Sequence, residues 1–515
     1  MFGVRKEQWL LAAFSGLLQV LIFPSPSLYL FSWVALVPLL GAVLLVDKGL
    51  KEKRFSGPSL FQGFVLGYLS GIFWYVGSCY WVFHAMHSYG GLGFGAAVGV
   101  LILFCLYLAL YHGLFGILLV VTGRRSLRAA LLLSPFLWVA VELARTRVTG
   151  FPWNLLGTAQ VDNIPLTRVA EFTGVYGLSF VIVLVNGSFV AALMTAGPRR
   201  WRLFGISLVM AGLLQAGVLE RLPALPAEHT ALLVQHNLPL AGSWTQSSLY
   251  GAVAELAQMS SIPASEAKAN PRLIIWPESP APFFESDPGF RQAVSVLARE
   301  QNAYVLAALV GEVMPAQGGA TPALTNRAAL ITPDGSWPGH YDKIHLVPFG
   351  EYVPFQPLFS FAGGLTREVG NYTPGKVRTL FDVEGGKFGA FICYESVFPD
   401  EVRQFAATGA QVLVNVSDDG WYGHYGAPGQ HLNMARMRAI ENRRWLLRAT
   451  NNGITASIDP LGRVVAQAPA DQRTTLTAPY GFISATTFYT RHGDLFAWAC
   501  VIIASSGLLL QFLPK

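Results

Sequence analysis

Residues Gly385–Ser396 read GGKFGAFICYES. A glycine pair followed by small, aromatic and β-branched residues has the pattern of a buried strand. Cys393 stands where that strand should end, with Tyr394 and Glu395 directly after it. A thiol at that point faces a loop. On residue type alone two readings are open: a small hydrophobe packed in the interior, or a reactive group held at a strand end. Cys79, Cys105 and Cys500 all lie in long apolar runs. Cys393 is therefore the only cysteine between residues 223 and 488, and no disulfide framework can form there.

The surrounding chain is of a different character. Over 515 residues, 52% are hydrophobic and only 13% charged, which is too apolar for one soluble globule and reads as a membrane protein. Apolar runs near the length of roughly 18 residues needed to cross about 30 Å of hydrocarbon fall at 9–24, 27–46, 61–84, 92–121, 129–144, 172–195, 201–219 and 494–512, predicting about eight spans. The first follows Arg5 and Lys6 but has no small-x-small cleavage site, and Phe23-Pro24-Ser25-Pro26 leads straight into the next, so it reads as an uncleaved anchor.

Basic residues set the orientation. They cluster before the first run, after the second (Lys48, Lys51, Lys53, Arg54), after the fourth (Arg124, Arg125, Arg128) and after the sixth (Arg199, Arg200, Arg202). By the positive-inside rule these loops are cytoplasmic, which puts both termini inside and the segment after the seventh run outside, in the periplasm of a bacterial cell. Arg145 and Arg147 after the fifth run are the exceptions. The net charge of +6 is accounted for largely by these loops, so it is topology and anionic-lipid contact; no nucleic-acid-binding motif accompanies it.

The predicted domains are a helical membrane domain at 1–222 with seven spans, an external α/β domain at 223–488 and a last membrane helix at 489–515. Within the first, Glu142 is the one acidic residue well inside a span; it is either a functional intramembrane carboxylate or a helix-end partner of Arg145 or Arg147. The loop GFPWN, Gly150–Asn154, reads equally as an aromatic-belt anchor and as a substrate-facing loop. In the second, strands are predicted at 229–236, 272–278, 304–311, 327–332, 386–393, 410–416, 444–450 and 454–459, and helices at 249–260, 289–300, 397–408 and 429–443. Thr332-Pro333-Asp334-Gly335 and Asp459-Pro460-Leu461-Gly462 should close hairpins. Strands alternating with helices point to layered sheets.

Three segments of the external domain put reactive groups at a strand end or in a loop: RLIIWPE ending in Glu278, YDKIHLVPFGEYVP carrying Lys343, and FGAFICYE with Cys393. A thiol with a pKa of about 8.5 is mostly protonated at neutral pH. A nucleophilic cysteine therefore needs a base and a nearby cation, roles that Glu278 and Lys343 could fill.

The order Glu, Lys, Cys in these motifs resembles the nitrilase superfamily, whose members carry a Glu-Lys-Cys triad on an αββα sandwich. With eight spans and with GFPW, PFGEY, CYES, NVSDDGWYG, QHLNMARMRAIENRRWLLRATNNG and IDPLG in order, the whole chain resembles the bacterial apolipoprotein N-acyltransferase family. The resemblance implies a multi-pass α-helical membrane domain plus an external nitrilase-like sandwich in the bacterial inner membrane. It implies Cys393 as a nucleophile that takes an acyl chain as a thioester, Glu278 as general base and Lys343 as oxyanion partner. Glu351 and Glu395 match further acidic positions, Tyr394 an active-site neighbour and Trp244 a substrate-binding tryptophan. A phospholipid, phosphatidylethanolamine in particular, would donate the acyl chain to the N-terminal cysteine of a diacylglyceryl lipoprotein in a ping-pong reaction. No metal or organic cofactor and no nucleic-acid partner is implied.

Since both substrates would be lipids, the Phe- and Gly-rich loop 355–370 is expected to act as a lid, and Phe283, Phe284, Trp421 and Tyr422 to line an acyl path or else fill the core. His340, His345, His424 and His431 would support a Cys-His-Asp hydrolase but read as hydrogen-bonding or solvent-facing residues. A membrane-tethered amidase or lipid hydrolase using the same triad stays open, because water could replace the amine. A transporter with an accessory domain would need paired intramembrane charges, of which the spans offer little beyond Glu142.

Overall fold

The computed structural model describes residues 4–44, 59–124, 126–240, 244–261, 272–314, 322–352 and 372–512. It divides into two compact units. One comprises Met1–Phe83, Gly95–Leu222 and His492–Lys515; the other comprises His84–Phe94 and Pro223–Arg491.

The first unit is helical. Among the described residues the apolar runs are mainly helical, and five helices are long and apolar enough to cross a membrane: Leu60–Ser78, Phe94–Gly123, Leu127–Thr149, Val175–Met194 and Arg199–Leu219. Lys6–Leu21 and Leu495–Leu509 are shorter. The second run departs from a plain span. It is a 3-10 turn at Tyr29–Trp33 followed by a short helix at Val37–Leu44. Asn186 supplies the hydrogen bonds that this break would otherwise lack. Its Oδ1 accepts from the N–H groups of Leu36 (2.8 Å) and Val37 (3.1 Å), and its Nδ2 donates to the Ser32 carbonyl (2.8 Å). In a surrounding without water an unsatisfied backbone group is costly, so a polar side chain from a neighbouring helix makes an irregular segment tolerable.

The helix Leu60–Ser78 meets Phe94–Gly123 along Gly63, Gly67 and Gly71. A Cβ on Gly67 would run into the His112 carbonyl, and one on Gly116 into the Gly63 carbonyl. Small residues at this spacing let two helix backbones approach closely, where apolar lipid offers no hydrophobic drive for association.

Glu142 lies within electrostatic reach of the expected Arg145, but its hydrogen bond goes elsewhere. Its Oε1 accepts from the Leu156 N–H at 2.7 Å, whereas Arg145 donates to the Tyr75 hydroxyl at 3.0 Å and Arg147 pairs with Asp494 at 2.6 Å. Trp153 of the GFPWN loop is no interface anchor: it is buried against Trp81, ring centroids 4.7 Å apart, and stacks with Phe151.

The second unit is built on two six-stranded sheets. The first has the order β12-β1-β2-β3-β4-β5, with β1 His229–Gln235, β2 Leu273–Ile275, β3 Tyr304–Val313, β4 Ala323–Ile331, β5 Gly339–Asp342 and β12 Thr474–Tyr480. The second has the order β11-β10-β9-β8-β7-β6, with β6 Leu380–Val383, β7 Gly386–Ile392, β8 Val412–Ser417, β9 Trp445–Thr450, β10 Ala456–Ile458 and β11 Val464–Gln467. Each sheet has three parallel strands at its centre, β1-β2-β3 and β7-β8-β9, flanked by antiparallel ones.

Parallel neighbours require crossovers, and these are helices. Gln246–Ser260 and Pro288–Gln301 cover the first sheet through Val253, Leu256, Val294 and Leu297, while Pro399–Ala407 and Ala427–Asn442 cover the second. The sheets pack face to face, β1 against β9 and β4 against β7, giving an αββα sandwich. The two expected hairpins are present, β4-β5 across Thr332–Gly335 and β10-β11 across Asp459–Gly462. The strand expected at 272–278 is shorter than its apolar run, because Pro277 has no N–H to continue the ladder.

Replacing Gly67 with Leu should force the first two of these packed membrane helices apart. The expected result is a thermal midpoint in detergent several degrees below wild type, whereas Gly205→Leu, where an added Cβ meets nothing, should leave it unchanged.

Candidate active site

The carboxyl ends of parallel strands open a crevice in α/β sheets, because the backbone leaves the ladder there and its polar groups become available. Glu278 lies three residues beyond β2, Cys393 directly beyond β7, Asp418 and Asp419 directly beyond β8, and Asn451 directly beyond β9. Lys343 follows β5 and Glu351 lies on the loop after it.

Glu278, Lys343 and Glu351 converge. Lys343, 1% exposed, points its Nζ to Glu351 Oε1 at 2.9 Å and to Glu278 Oε1 at 3.5 Å. Asn326, in the middle of β4, donates through Nδ2 to the same two oxygens, 2.7 Å to Glu278 and 2.8 Å to Glu351. The outer carboxylate oxygens are held by backbone: Asp418 N–H donates to Glu278 Oε2 at 3.0 Å, and Val347 N–H to Glu351 Oε2 at 2.7 Å. Burial works against the ammonium of Lys343, but Glu351 and then Glu278 outweigh it and hold the side chain charged well above an ordinary lysine.

Cys393 is 4% exposed and has φ of +50°. A non-glycine residue in the left-handed region costs about 1–3 kcal/mol and persists only where its surroundings enforce it. Glu395 supplies part of that enforcement. Fully buried, its carboxylate accepts from the N–H groups of Ile392 (2.7 Å), Ile344 (2.7 Å) and His345 (3.0 Å) and from the Tyr341 hydroxyl (2.7 Å). One carboxylate thus ties the thiol turn to the loop that carries Lys343. Burial raises the Glu395 carboxyl above its usual range, and those donors oppose the rise. The Cys393 Sγ lies 4.0 Å from the Tyr422 hydroxyl. Burial pushes the thiol well up, the charge of Glu278 adds to this, and the ammonium of Lys343 opposes it. The site therefore holds a protonated thiol within the electrostatic reach of a carboxylate and an ammonium, an arrangement suited to proton removal as the nucleophile attacks.

Comparison with known proteins gives the family of the chain. The carbon-nitrogen hydrolase profile matches residues 231–480, and the profile of the apolipoprotein N-acyltransferase N-terminal domain matches residues 15–188. A protein of Geobacter metallireducens named apolipoprotein N-acyltransferase is 36% identical over 522 residues, covering 100% of this chain and 97% of that protein. The chain belongs to the apolipoprotein N-acyltransferase family. A second member, from Methylococcus capsulatus, is 35% identical over 437 residues, 83% of each chain. Among solved structures, a carbon-nitrogen hydrolase from Helicobacter pylori G27 aligns with 48% of this chain and 88% of its own, at 21% identity and a TM-score of 0.36. An amidase from Nesterenkonia sp. aligns with 54% and 95%, at 17% identity and a TM-score of 0.36.

Other expected site residues of this apolipoprotein N-acyltransferase family member are placed variously. Tyr394 is buried next to the thiol, its ring edge-on to Phe398 at 5.2 Å. Trp244 packs against the core beneath the first sheet, just before Thr245 caps the helix Gln246–Ser260, and the structure brings it into no contact with the thiol cluster among the described residues. Phe283 stacks on Phe290 in that core. Tyr422 faces the thiol, whereas Trp421 is exposed and meets Tyr89 of the His84–Phe94 segment edge-on at 5.2 Å. The expected lid at 355–370 lies outside the described residues. His340, His345 and His424 pair with Asp342, Glu401 and Asp471. The sequence reading missed Asn326. Its signal was a polar side chain flanked by Thr325 and Arg327 inside an otherwise apolar strand.

Alkylation needs the thiolate, and a raised pKa keeps the thiol protonated to higher pH. The rate at which iodoacetamide labels Cys393, read by intact mass, should still climb at about pH 10, where a free thiol of pKa about 8.5 has levelled off. A plateau reached by about pH 8 would contradict the charge balance described.

Proposed function

We propose that this chain N-acylates lipoproteins in a bacterial membrane, with residues 223–488 carrying the chemistry and 1–222 and 489–515 anchoring it. The observation that carries the proposal is the convergence of Glu278, Lys343 and Glu351 beside the only thiol of that domain, on a chain matching named apolipoprotein N-acyltransferases along its whole length.

Glu278 takes the thiol proton as Cys393 Sγ attacks the ester carbonyl of a phospholipid. Lys343 stabilises the oxyanion, and the carbonyl reforms as the lysophospholipid leaves with the proton from Glu278. The α-amino group of the diacylglyceryl cysteine then attacks the thioester, giving up a proton to Glu278, and the amide forms as the Cys393 thiolate leaves and takes that proton back from Glu278. Glu351 and Asn326 hold the base and the ammonium in register, and Glu395 holds the thiol turn. Phosphatidylethanolamine is the proposed donor. The basic residues at Arg124, Arg128, Arg199, Arg200 and Arg202 support an orientation with both termini cytoplasmic and the 223–488 domain in the periplasm.

Purified protein in detergent with phosphatidylethanolamine and a synthetic diacylglyceryl lipopeptide should add one acyl chain to the peptide α-amine, read by mass. Cys393→Ala should give no product, and Lys343→Met should fall by about a hundredfold or more, the size of losing an oxyanion donor. Full activity in Cys393→Ala would overturn the proposal.

A further inference from the structure

Behind the thiol turn lies a charge network that the proposed mechanism does not use. Asp419, His431, Arg448, Asn415, Ser417 and Ser396 are all fully or almost fully buried. Arg448 Nη2 donates to Asp419 Oδ1 at 2.8 Å and Oδ2 at 2.7 Å, its Nη1 donates to Asn415, and the Ser417 hydroxyl donates to Asp419 Oδ1 at 2.9 Å. His431 sits at the end of this chain. Its Nδ1 is 2.9 Å from Asp419 Oδ1 and 3.0 Å from Arg448 Nη2, and its Nε2 is 2.7 Å from Ser396 Oγ and 3.2 Å from the Cys393 carbonyl oxygen. Both ring nitrogens are engaged, and what Nε2 meets of Cys393 is its main chain. That arrangement differs from a Cys-His-Asp triad, in which the imidazole would serve as base to the thiol.

The contacts converge on one short element, the 3-10 turn Cys393–Val397, which begins with the left-handed Cys393. Arg438, seven residues after His431 and so on the same face of the helix Ala427–Asn442, reaches the same turn. Its Nη1 donates to the carbonyls of Val397 at 3.2 Å and Ser396 at 3.4 Å, and its own charge is met by Glu441. Glu395 holds the turn on the side of Lys343, and the helix holds it from behind. A buried ion pair is a poor way to gain stability, since desolvation offsets most of the attraction. Its use here is better explained by geometry: an imidazole gripped by Asp419 and Arg448 presents Nε2 at a fixed point.

We propose that His431, oriented by Asp419, is a positioning residue for acyl transfer: with Nδ1–H donated to Asp419, Nε2 accepts from the Ser396 hydroxyl and so holds the turn that keeps the nucleophile in its left-handed conformation. The proposal rests on Cys393 being the residue acylated. It predicts that the atom at the Nε2 position matters more than the one facing Asp419. Glutamine places a polar group near Nε2 and asparagine near Nδ1, so the two substitutions separate these positions.

The experiment measures single-turnover thioester formation on Cys393 from phosphatidylethanolamine, by intact mass, in wild type, His431→Gln, His431→Asn and Ser396→Ala, with thermal midpoints recorded for each. His431→Asn should be slower by about tenfold or more, since a displacement of under 1 Å at a reacting atom has that effect. His431→Gln should stay within about threefold of wild type, Ser396→Ala should fall between them, and the phospholipid concentration for half-maximal rate should be unchanged in all. Equal rates in the Gln and Asn variants, or rates that simply follow the thermal midpoints, would overturn the positioning role. Iodoacetamide labelling of Cys393 in the same proteins gives an independent reading. If wild type forms no thioester, the acylation reading fails by itself, and the labelling rates still decide: Asn altered and Gln wild-type-like supports the anchor, and equal rates refute it.

Discussion

One ammonium held between two carboxylates is the constraint around which the site is arranged. Lys343 is out of water, and its charge is tolerated because Glu351 and Glu278 lie within 2.9 and 3.5 Å. Removing the lysine would leave two carboxylates sharing Asn326 as donor, with like charges a few ångströms apart in a low dielectric. Removing either carboxylate would leave the ammonium less compensated and the thiol in a different field. These groups come from separate places: the end of β2, the middle of β4, the loop after β5 and the start of the turn after β7. They meet only because two sheets pack face to face with their parallel strands ending at the same edge.

The thiol end depends on the same logic carried one layer back. A cysteine at φ of +50° has to be held there. Glu395 ties it by four hydrogen bonds to Ile392, to Tyr341 of β5 and to Ile344 and His345 of the Lys343 loop, and the helix Ala427–Asn442 grips its turn through His431 and Arg438. Both anchors are buried and hydrogen-bonded, which gives them a defined geometry that an apolar contact would lack.

Much of this was legible in sequence, for reasons visible in particular residues. The strand ending at Cys393 stood out because Gly386–Ile392 is apolar and bounded by a glycine pair and a polar turn. The two Pro-Asp-Gly or Pro-Leu-Gly turns fixed their hairpins because their chemistry is local. Strands β5, β6, β11 and β12 escaped, since their residues are half exposed and their pairing is decided by distant partners. The run at 27–46 read as one span because its composition is uniformly apolar; the break at 34–36 is enforced by Asn186, 150 residues further on. Within the site, Glu278, Lys343 and Cys393 were found by motif order, whereas Asn326 and His431 carry ordinary residue types whose roles are set wholly by what the fold places beside them.

The most direct test of the account is the intact mass of the purified protein after incubation with phosphatidylethanolamine and no acceptor. The account requires a gain of one acyl chain on Cys393, labile to hydroxylamine as a thioester, absent in Glu278→Gln and discharged by a diacylglyceryl lipopeptide far faster than by water. An unmodified Cys393 in a folded, lipid-bound protein would contradict it, as would an adduct that forms equally well without the Glu278 carboxylate.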